Sequence, residues 1–215
     1  MQKAATRIEL AGAGRRYNHD WIFRKADLQF LEGRSYALTG PNGSGKSTLL
    51  GVIGGLLQPS EGKVRHYSGD VLISPESSFR NVALAAPYLD VVEEFTAMEL
   101  LDFHQKFKPF RTGHTTASIL ERVGLAAAAH KQIRYYSSGM KQRVKLAQAF
   151  FSDASVLLLD EPTTNLDSVG AQLYLDLIKE ETASRLVIVC SNDPAEYAFC
   201  ETVLSVLDYK PAARK

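Results

Sequence analysis

The chain has 215 residues, 45% hydrophobic and 23% charged, with 25 Lys and Arg set against 24 Asp and Glu. That length suits one domain with a sizeable core, or a domain with a small subdomain, and the composition is that of an ordinary globular protein. A formal charge of +1 gives no electrostatic reason to bind DNA or RNA, and the basic spots at Arg15-Arg16 and at 210–215 read as solvated surface and a frayed end.

Residues 1–5 lack the apolar stretch of an export signal, and no apolar run nears the ~20 residues of a bilayer span, so any membrane link is expected to run through another protein. Residues 6–10 and 21–30 read as strands, the second alternating at Ala26, Leu28 and Phe30, and Glu32-Gly33 as a turn. Residues 36–39 form a short buried strand that runs into a Gly-rich loop, with a helix expected over 46–54. A turn at 59–62 and a strand at 63–67 follow. Over 96–129 the apolar spacing becomes helical, broken at Pro109 and Gly113, which predicts a mostly helical subdomain inserted into an α/β core. A long helix begins after Ser138, with Met140, Val144, Ala147 and Phe151 on one face. Then come a strand at 156–159, a helix at 172–181, a strand at 186–190 and a last strand at 203–207. Short strands alternating with helices predict an α/β fold with a largely parallel sheet. Cys190 and Cys200 show no metal-site spacing and fit a reducing compartment; Cys190 ends an apolar run and reads as a buried, inert thiol.

Gly40-Pro41-Asn42-Gly43-Ser44-Gly45-Lys46-Ser47 fills the pattern G-x-x-x-x-G-K-[ST], with Thr48 next in the helix start. Glycines let successive backbone N–H groups turn inward on phosphate oxygens, and the helix beginning at Lys46 aims the positive end of its dipole at the same anion. Lys46 adds a point charge for the β- and γ-phosphates, and the Ser47 hydroxyl is a Mg²⁺ ligand. Alone, the loop identifies a nucleotide triphosphatase of no particular class. The apolar strand Val156-Leu157-Leu158-Leu159 ends in Asp160-Glu161. Asp160 is placed to hold Mg²⁺ through water, and Glu161, turned the other way, to take a proton from an attacking water; two ordinary solvent-facing charges are the alternative.

Between these motifs stands Tyr136-Ser137-Ser138-Gly139-Met140-Lys141-Gln142-Arg143, which resembles the LSGGQ-KQR signature of ABC ATPases, and Pro162-Thr163-Thr164-Asn165-Leu166-Asp167 resembles the D-loop of that family. Order and spacing agree with an ABC cassette over nearly the whole chain. The resemblance implies a P-loop NTPase (RecA-like) core with an N-terminal antiparallel β subdomain and an inserted helical subdomain. Residues 1–215 would form one ABC ATPase domain, with a nucleotide-binding core at 1–86 and 137–215 and the helical subdomain at about 87–136. It also implies that Tyr17 stacks on adenine, where the alternative is a surface or core tyrosine. Ser137 and Gly139, at a helix start suited to anions, would grip the γ-phosphate of ATP bound to a second copy, so that two chains close head to tail around ATP and Mg²⁺.

Three features depart from the family pattern. Ser138 and Met140 stand where glycine and glutamine are usual, Pro87 falls at about the place of the Q-loop glutamine, and Asn192 replaces the switch histidine. Asn192 can donate a hydrogen bond to a γ-phosphate but cannot become cationic, which predicts slow hydrolysis; as a plain turn residue it would do neither. The resemblance implies an ATP-hydrolysing transporter subunit. It would sit on the cytoplasmic face of the inner membrane, inserting nothing into the bilayer and binding no nucleic acid, and would drive a transmembrane permease through a groove to which Phe95, Met98 and Phe103 contribute. An ATP-gated switch and a soluble ABC ATPase outside transport are the alternatives.

Overall fold

Two apolar runs, Val156–Asp160 (β7) and Leu186–Cys190 (β8), lie side by side at the centre of a computed structural model that describes residues 4–211. Val82–Ala85 (β6) flanks β7, while Ser35–Thr39 (β3) and Thr202–Ser205 (β9) continue beyond β8, giving a five-stranded sheet ordered β6-β7-β8-β3-β9. Every pairing in it is parallel. A parallel sheet is covered on both faces, which is why β7 and β8 are apolar throughout rather than alternating. Their side chains nonetheless separate by face: Leu157, Leu159, Val187 and Val189 enter one core, and Val156, Leu158, Leu186 and Ile188 the other.

The first core is closed by the helices Ser138–Phe151 (α5) and Ser168–Glu181 (α6) and by a helical segment made of Ala97–Phe107 (α3) and Thr116–Arg122 (α4). The second is closed by Lys46–Ile53 (α1) and by Thr6–Tyr17 (β1) and Asp20–Leu31 (β2) of a separate sheet. That sheet also holds Glu61–Ser68 (β4) and Val71–Ile73 (β5), in the order β2-β1-β4-β5, and is antiparallel throughout. The chain is therefore an α/β P-loop fold with an antiparallel sheet against one face and helices against the other.

The helical segment begins with a reciprocal cap. Thr96 Oγ1 accepts from the Glu99 amide at 3.2 Å, and the Glu99 carboxylate accepts from the Thr96 amide at 2.8 Å. Thr115 and Ser118 repeat the device at α4. Pro109 and Gly113 both fall between α3 and α4, where the sequence places its breaks. Among the remaining expectations, β6 is an addition, since its run was not assigned to a strand. The last strand ends two residues earlier than the reading of 203–207. Ser205 Oγ accepts from the Leu207 amide at 3.2 Å and turns Val206–Tyr209 into a single 3₁₀ turn. Cys190 is fully buried, as expected. The readings of the two chain ends fall largely on residues 1–3 and 212–215, outside the described residues.

His104, on α3, is a consequence of this packing. Its Nε2–H donates to Ser152 Oγ at 2.8 Å, and Ser152 in turn donates to the Gln148 carbonyl of α5. Burial, with a smaller push from the Lys108 charge, lowers the His104 pKa from 6.5 to about 4. The unfolded chain therefore binds a proton that the folded chain refuses between those values, so stability is present above pH 6.5 and is lost as pH falls towards 4. Urea unfolding followed from pH 7 down to 4.5 is expected to show a shallower loss for His104→Gln, by up to about 3 kcal/mol at the acid end.

Candidate active site

All the candidate groups of the core hang from the carboxyl edge of the parallel sheet. β3 enters the loop at Gly40, and the loop closes at Gly45 with φ 101°. A side chain at Gly45 would be strained by that angle, and a Cβ would stand 2.2 Å from Ile22 Cγ2, so only glycine fits. α1 starts at Lys46 without a side-chain cap, and its first amides have no intrahelical acceptor. Lys46 is 5% exposed, and its ammonium folds back to donate to the Gly40 carbonyl at 2.8 Å and, more weakly, to that of Pro41 at 3.5 Å. Ser44 Oγ is buried with no hydrogen-bond partner. Free amides and a buried cation surround one cavity of about 280 Å³, lined by Ile22, Asn42, Gly43, Gly45, Lys46, Ser47, Thr48 and Glu161, while the Ser44 hydroxyl lies within the loop on the side of Gly40. This is an anion-binding cradle.

Asp160 ends β7 beside that cradle. It is 2% exposed, and its Oδ2 has no hydrogen-bond partner. Burial raises its pKa above the usual carboxylate value; the neighbouring Ser47 hydroxyl acts in the opposite direction, and the Glu161 charge adds to the rise. Glu161 then takes φ 42°, a left-handed conformation costly for a non-glycine residue, with its amide donating to the Cys190 carbonyl at 2.8 Å. The kink breaks the strand direction and turns Glu161 into the cavity. Asn192, on the loop after β8, donates through Nδ2 to Asn42 Oδ1 at 2.9 Å, which brings it to the same loop.

Tyr17, Ser137 and Gly139 do not line this cavity. Tyr17 ends β1 at the hairpin whose return strand carries Ile22 to the cavity. It is 46% exposed, and the Arg15 guanidinium lies 4.9 Å from its ring centroid. Ser137 is exposed and caps α5, accepting from the Met140 amide at 3.2 Å. At Gly139 a Cβ would meet the Asn165 carbonyl oxygen at 3.0 Å, so α5 begins in close contact with the loop at 162–167. Gln142 joins the same two elements from beneath: it is buried, and its Nε2 donates to the Pro162 carbonyl at 2.8 Å. Glu196, also buried, accepts from the Thr163 amide at 2.8 Å and from the Thr163 hydroxyl. Neither Gln142 nor Glu196 was assigned a role from sequence. Gln142 lies within a recognisable motif, but nothing in the sequence announced the acceptor role of Glu196.

The profile of the ABC transporter family matches residues 23–164 of this chain. The cytochrome c biogenesis ATP-binding export protein CcmA of Rhizobium meliloti is 32% identical over 200 residues, covering 89% of this chain and 94% of that protein. The lipoprotein-releasing system ATP-binding protein LolD 2 of Rhodospirillum rubrum is 33% identical over 198 residues, covering 87% and 86%. Other relatives extend well beyond the shared stretch, this chain spanning 56% of one of them. Among solved structures, the dimeric post-hydrolysis state of the ATP-binding cassette MJ0796 with ADP and Pi superposes with a TM-score of 0.79 at 24% identity, over 97% of each chain, a likeness of fold.

The donor set beside the cradle fits Mg²⁺. This ion is held by one or two carboxylates together with waters and substrate phosphates rather than by a protein cage. An orphaned Asp160 oxygen next to the Ser47 hydroxyl meets that need, and no cluster of three or more His, Cys, Asp or Glu suited to a metal occurs among the described residues. A carboxylate whose pKa is raised by folding destabilises the fold once it ionises, and the loss is complete above the raised pKa. Asp160→Asn is therefore expected to raise the melting temperature of the nucleotide-free protein at pH 7, while removing the extra stabilisation that Mg²⁺ adds to ATP in a thermal-shift measurement.

Proposed function

This chain belongs to the ABC transporter family, and from that membership we propose that it is the ATP-binding and ATP-hydrolysing subunit of a transporter, working as a pair of copies closed head to tail around two MgATP. The observation that carries the reading is a division of labour. The cavity gathers an anion cradle and Glu161, with the buried Asp160 beside Ser47 behind it, while a second helix start suited to anions, at 137–139, presents the exposed Ser137 and Ser138 away from it. Each half needs the other half from a neighbour.

In this reading the amides of Gly43 and of residues 45–48, with the Lys46 ammonium, hold the β- and γ-phosphates, and Tyr17 stacks on adenine beyond Ile22. Ser47 and Asp160 hold Mg²⁺, which when bound neutralises charge on the phosphate oxygens. Glu161 accepts a proton from the attacking water, as its approach to the cavity allows. Asn192 leaves Asn42 and donates Nδ2 to the γ-phosphate. The free amides and the Ser137 hydroxyl of a second copy cover the same phosphate. ATP then holds the two chains together, and its cleavage releases them.

The division into a core at 1–86 and 137–215 and a helical subdomain at about 87–136 belongs to the same reading, with α3 and α4 lying between β6 and α5. The permease contact is placed on the helical side. Phe95 and Met98 pack partly against the core, whereas Phe103 is 46% exposed and lines an apolar cleft of about 310 Å³ with Phe79, Val92 and Phe107. In this reading a cytoplasmic helix of the permease docks at this cleft. No helix among the described residues is long and apolar enough to cross a membrane; in this reading the subunit is held at the cytoplasmic face through its partner. Export and lipoprotein release are the tasks in the names of two relatives; the cargo here is set by the permease.

A slower machine, close to an ATP-gated switch, is favoured by one feature. Asn192 supplies a neutral donor where a cationic histidine is usual. Asn192→His is expected to raise steady-state ATP turnover about tenfold, the factor carried by 1.4 kcal/mol of transition-state stabilisation; an unchanged or lower rate counts against this explanation. Glu161→Gln keeps the shape of the side chain and loses the base. It is expected to bind ATP normally and to accumulate an ATP-dependent dimer on a sizing column, whereas normal hydrolysis by this variant removes Glu161 from the role of base.

A further inference from the structure

Glu161 at φ 42° and Asn165 at φ 66° are both left-handed without being glycine, a cost smaller for Asn than for Glu. Such angles persist only where the surroundings hold them. The stretch between them contributes two turn bonds of its own. The Thr164 amide donates to the Glu161 carbonyl at 3.1 Å, and the Leu166 amide to the Thr163 carbonyl at 2.9 Å. The rest of the hold comes from outside, from two buried side chains. Gln142 reaches the Pro162 carbonyl from α5, and Glu196 reaches Thr163 from the segment after β8.

Glu196 is unusually well placed to hold something else still. It sits on the single helical turn Pro194–Tyr197, which Asp193 caps by accepting from the Ala195 amide at 2.9 Å. The Glu196 carbonyl accepts from the hydroxyl of Tyr174, a fully buried residue of α6, at 2.6 Å. Its backbone is therefore pinned before its side chain reaches out. One oxygen, Oε1, then accepts from both the Thr163 amide and the Thr163 hydroxyl. Burying a carboxylate is costly, and bonds to an ionised acceptor are the strong ones. Thr163 lies midway between Glu161 and Asn165, so fixing it restrains both angles. On one side this sets the direction of Glu161 into the cavity. On the other it keeps the Asn165 carbonyl against Gly139, at the start of α5.

We propose that Glu196 is a positioning residue, which through Thr163 holds the Glu161 carboxylate at the cavity and, through Asn165, holds the 137–139 turn in the attitude that meets a second copy. This rests on the reading of the cavity as a MgATP site shared by two copies. Glu196 does not line the cavity, so its loss alters the rate of hydrolysis and the pairing of copies while leaving nucleotide capture alone.

The test uses the full chain with Glu196→Ala and Glu196→Gln, each made in the parent and in Glu161→Gln. In the parent, kcat for MgATP is expected to fall about tenfold in Glu196→Ala, the lower end for losing a hydrogen bond to a charged group. Affinity for a fluorescent ATP analogue should stay unchanged. In the Glu161→Gln background hydrolysis plays no part. There the protein concentration for half-dimerisation in MgATP, read on a sizing column, is expected to rise about tenfold. Glu196→Gln keeps an oxygen able to accept both Thr163 bonds and is expected to recover most of both losses. If Glu196→Ala does not fold, Thr163→Val, which removes only the hydroxyl, decides by the same two readouts with a loss of about threefold. The proposal is overturned if kcat and dimerisation are unchanged, if they fall only in step with ATP affinity, or if Glu196→Gln is no better than Glu196→Ala. A Glu161→Gln chain with Glu196 intact that never dimerises in MgATP overturns the two-copy reading instead, which keeps the two failures apart.

Discussion

Because β3, β6, β7 and β8 run parallel, their carboxyl ends share one edge, and the chemistry of this chain depends on that edge. Four separate stretches of sequence are delivered there by backbone pairing alone: the loop after β3, the turn after β6, Asp160 and Glu161 at the end of β7, and Asn192 beyond β8. The sheet can do this because its two faces are sealed by different partners, which leaves its ends free of packing duties. Asp160 illustrates the cost. A carboxylate that is almost fully buried, with one oxygen lacking a protein partner, destabilises the folded chain, a cost that a bound cation would offset. The left-handed Glu161 is a second strained feature at the same place. Two costs in consecutive residues at one cavity mark a site shaped by something other than stability.

The exposed turn at 137–139 is fixed just as firmly, by different means. Gly139 abuts the Asn165 carbonyl, Gln142 holds the Pro162 carbonyl from a buried position, and Glu196 holds Thr163. Residues 162–167 are thus clamped between α5 and the segment after β8. That segment includes Asn192, whose side chain meets Asn42 of the phosphate loop. A chain of direct hydrogen bonds and close contacts consequently links the cradle, the loop at 162–167 and the start of α5 within one protomer. In a head-to-tail pair, that linkage would connect the two nucleotide sites to each other.

Much of this was legible in the sequence where one residue type answers one physical demand. The glycines and Lys46 of the phosphate loop, the apolar run ending in Asp160-Glu161, the Ser137 cap and the break at Pro109 each have a single local cause, and each stands where its pattern placed it. β6 was not legible, because Val82-Ala83-Leu84-Ala85 is too short for its period to separate strand from helix. Gln142 and Glu196 escaped because their role depends on carbonyl and amide groups supplied 20 and 33 residues away.

The central claim is that each working site is built from two chains, the cradle of one and the 137–139 turn of the other. Two variants break opposite halves: Lys46→Ala removes the cradle cation, and Ser137→Asp keeps a good helix cap while placing a negative charge where a phosphate should sit. Each alone should neither associate in MgATP nor hydrolyse it. Mixed in equal amounts they should regain both, because a heterodimer contains one site assembled from an intact cradle and an intact turn. If the mixture stays as inactive as its components, or if Ser137→Asp is fully active alone, the two-chain site does not exist.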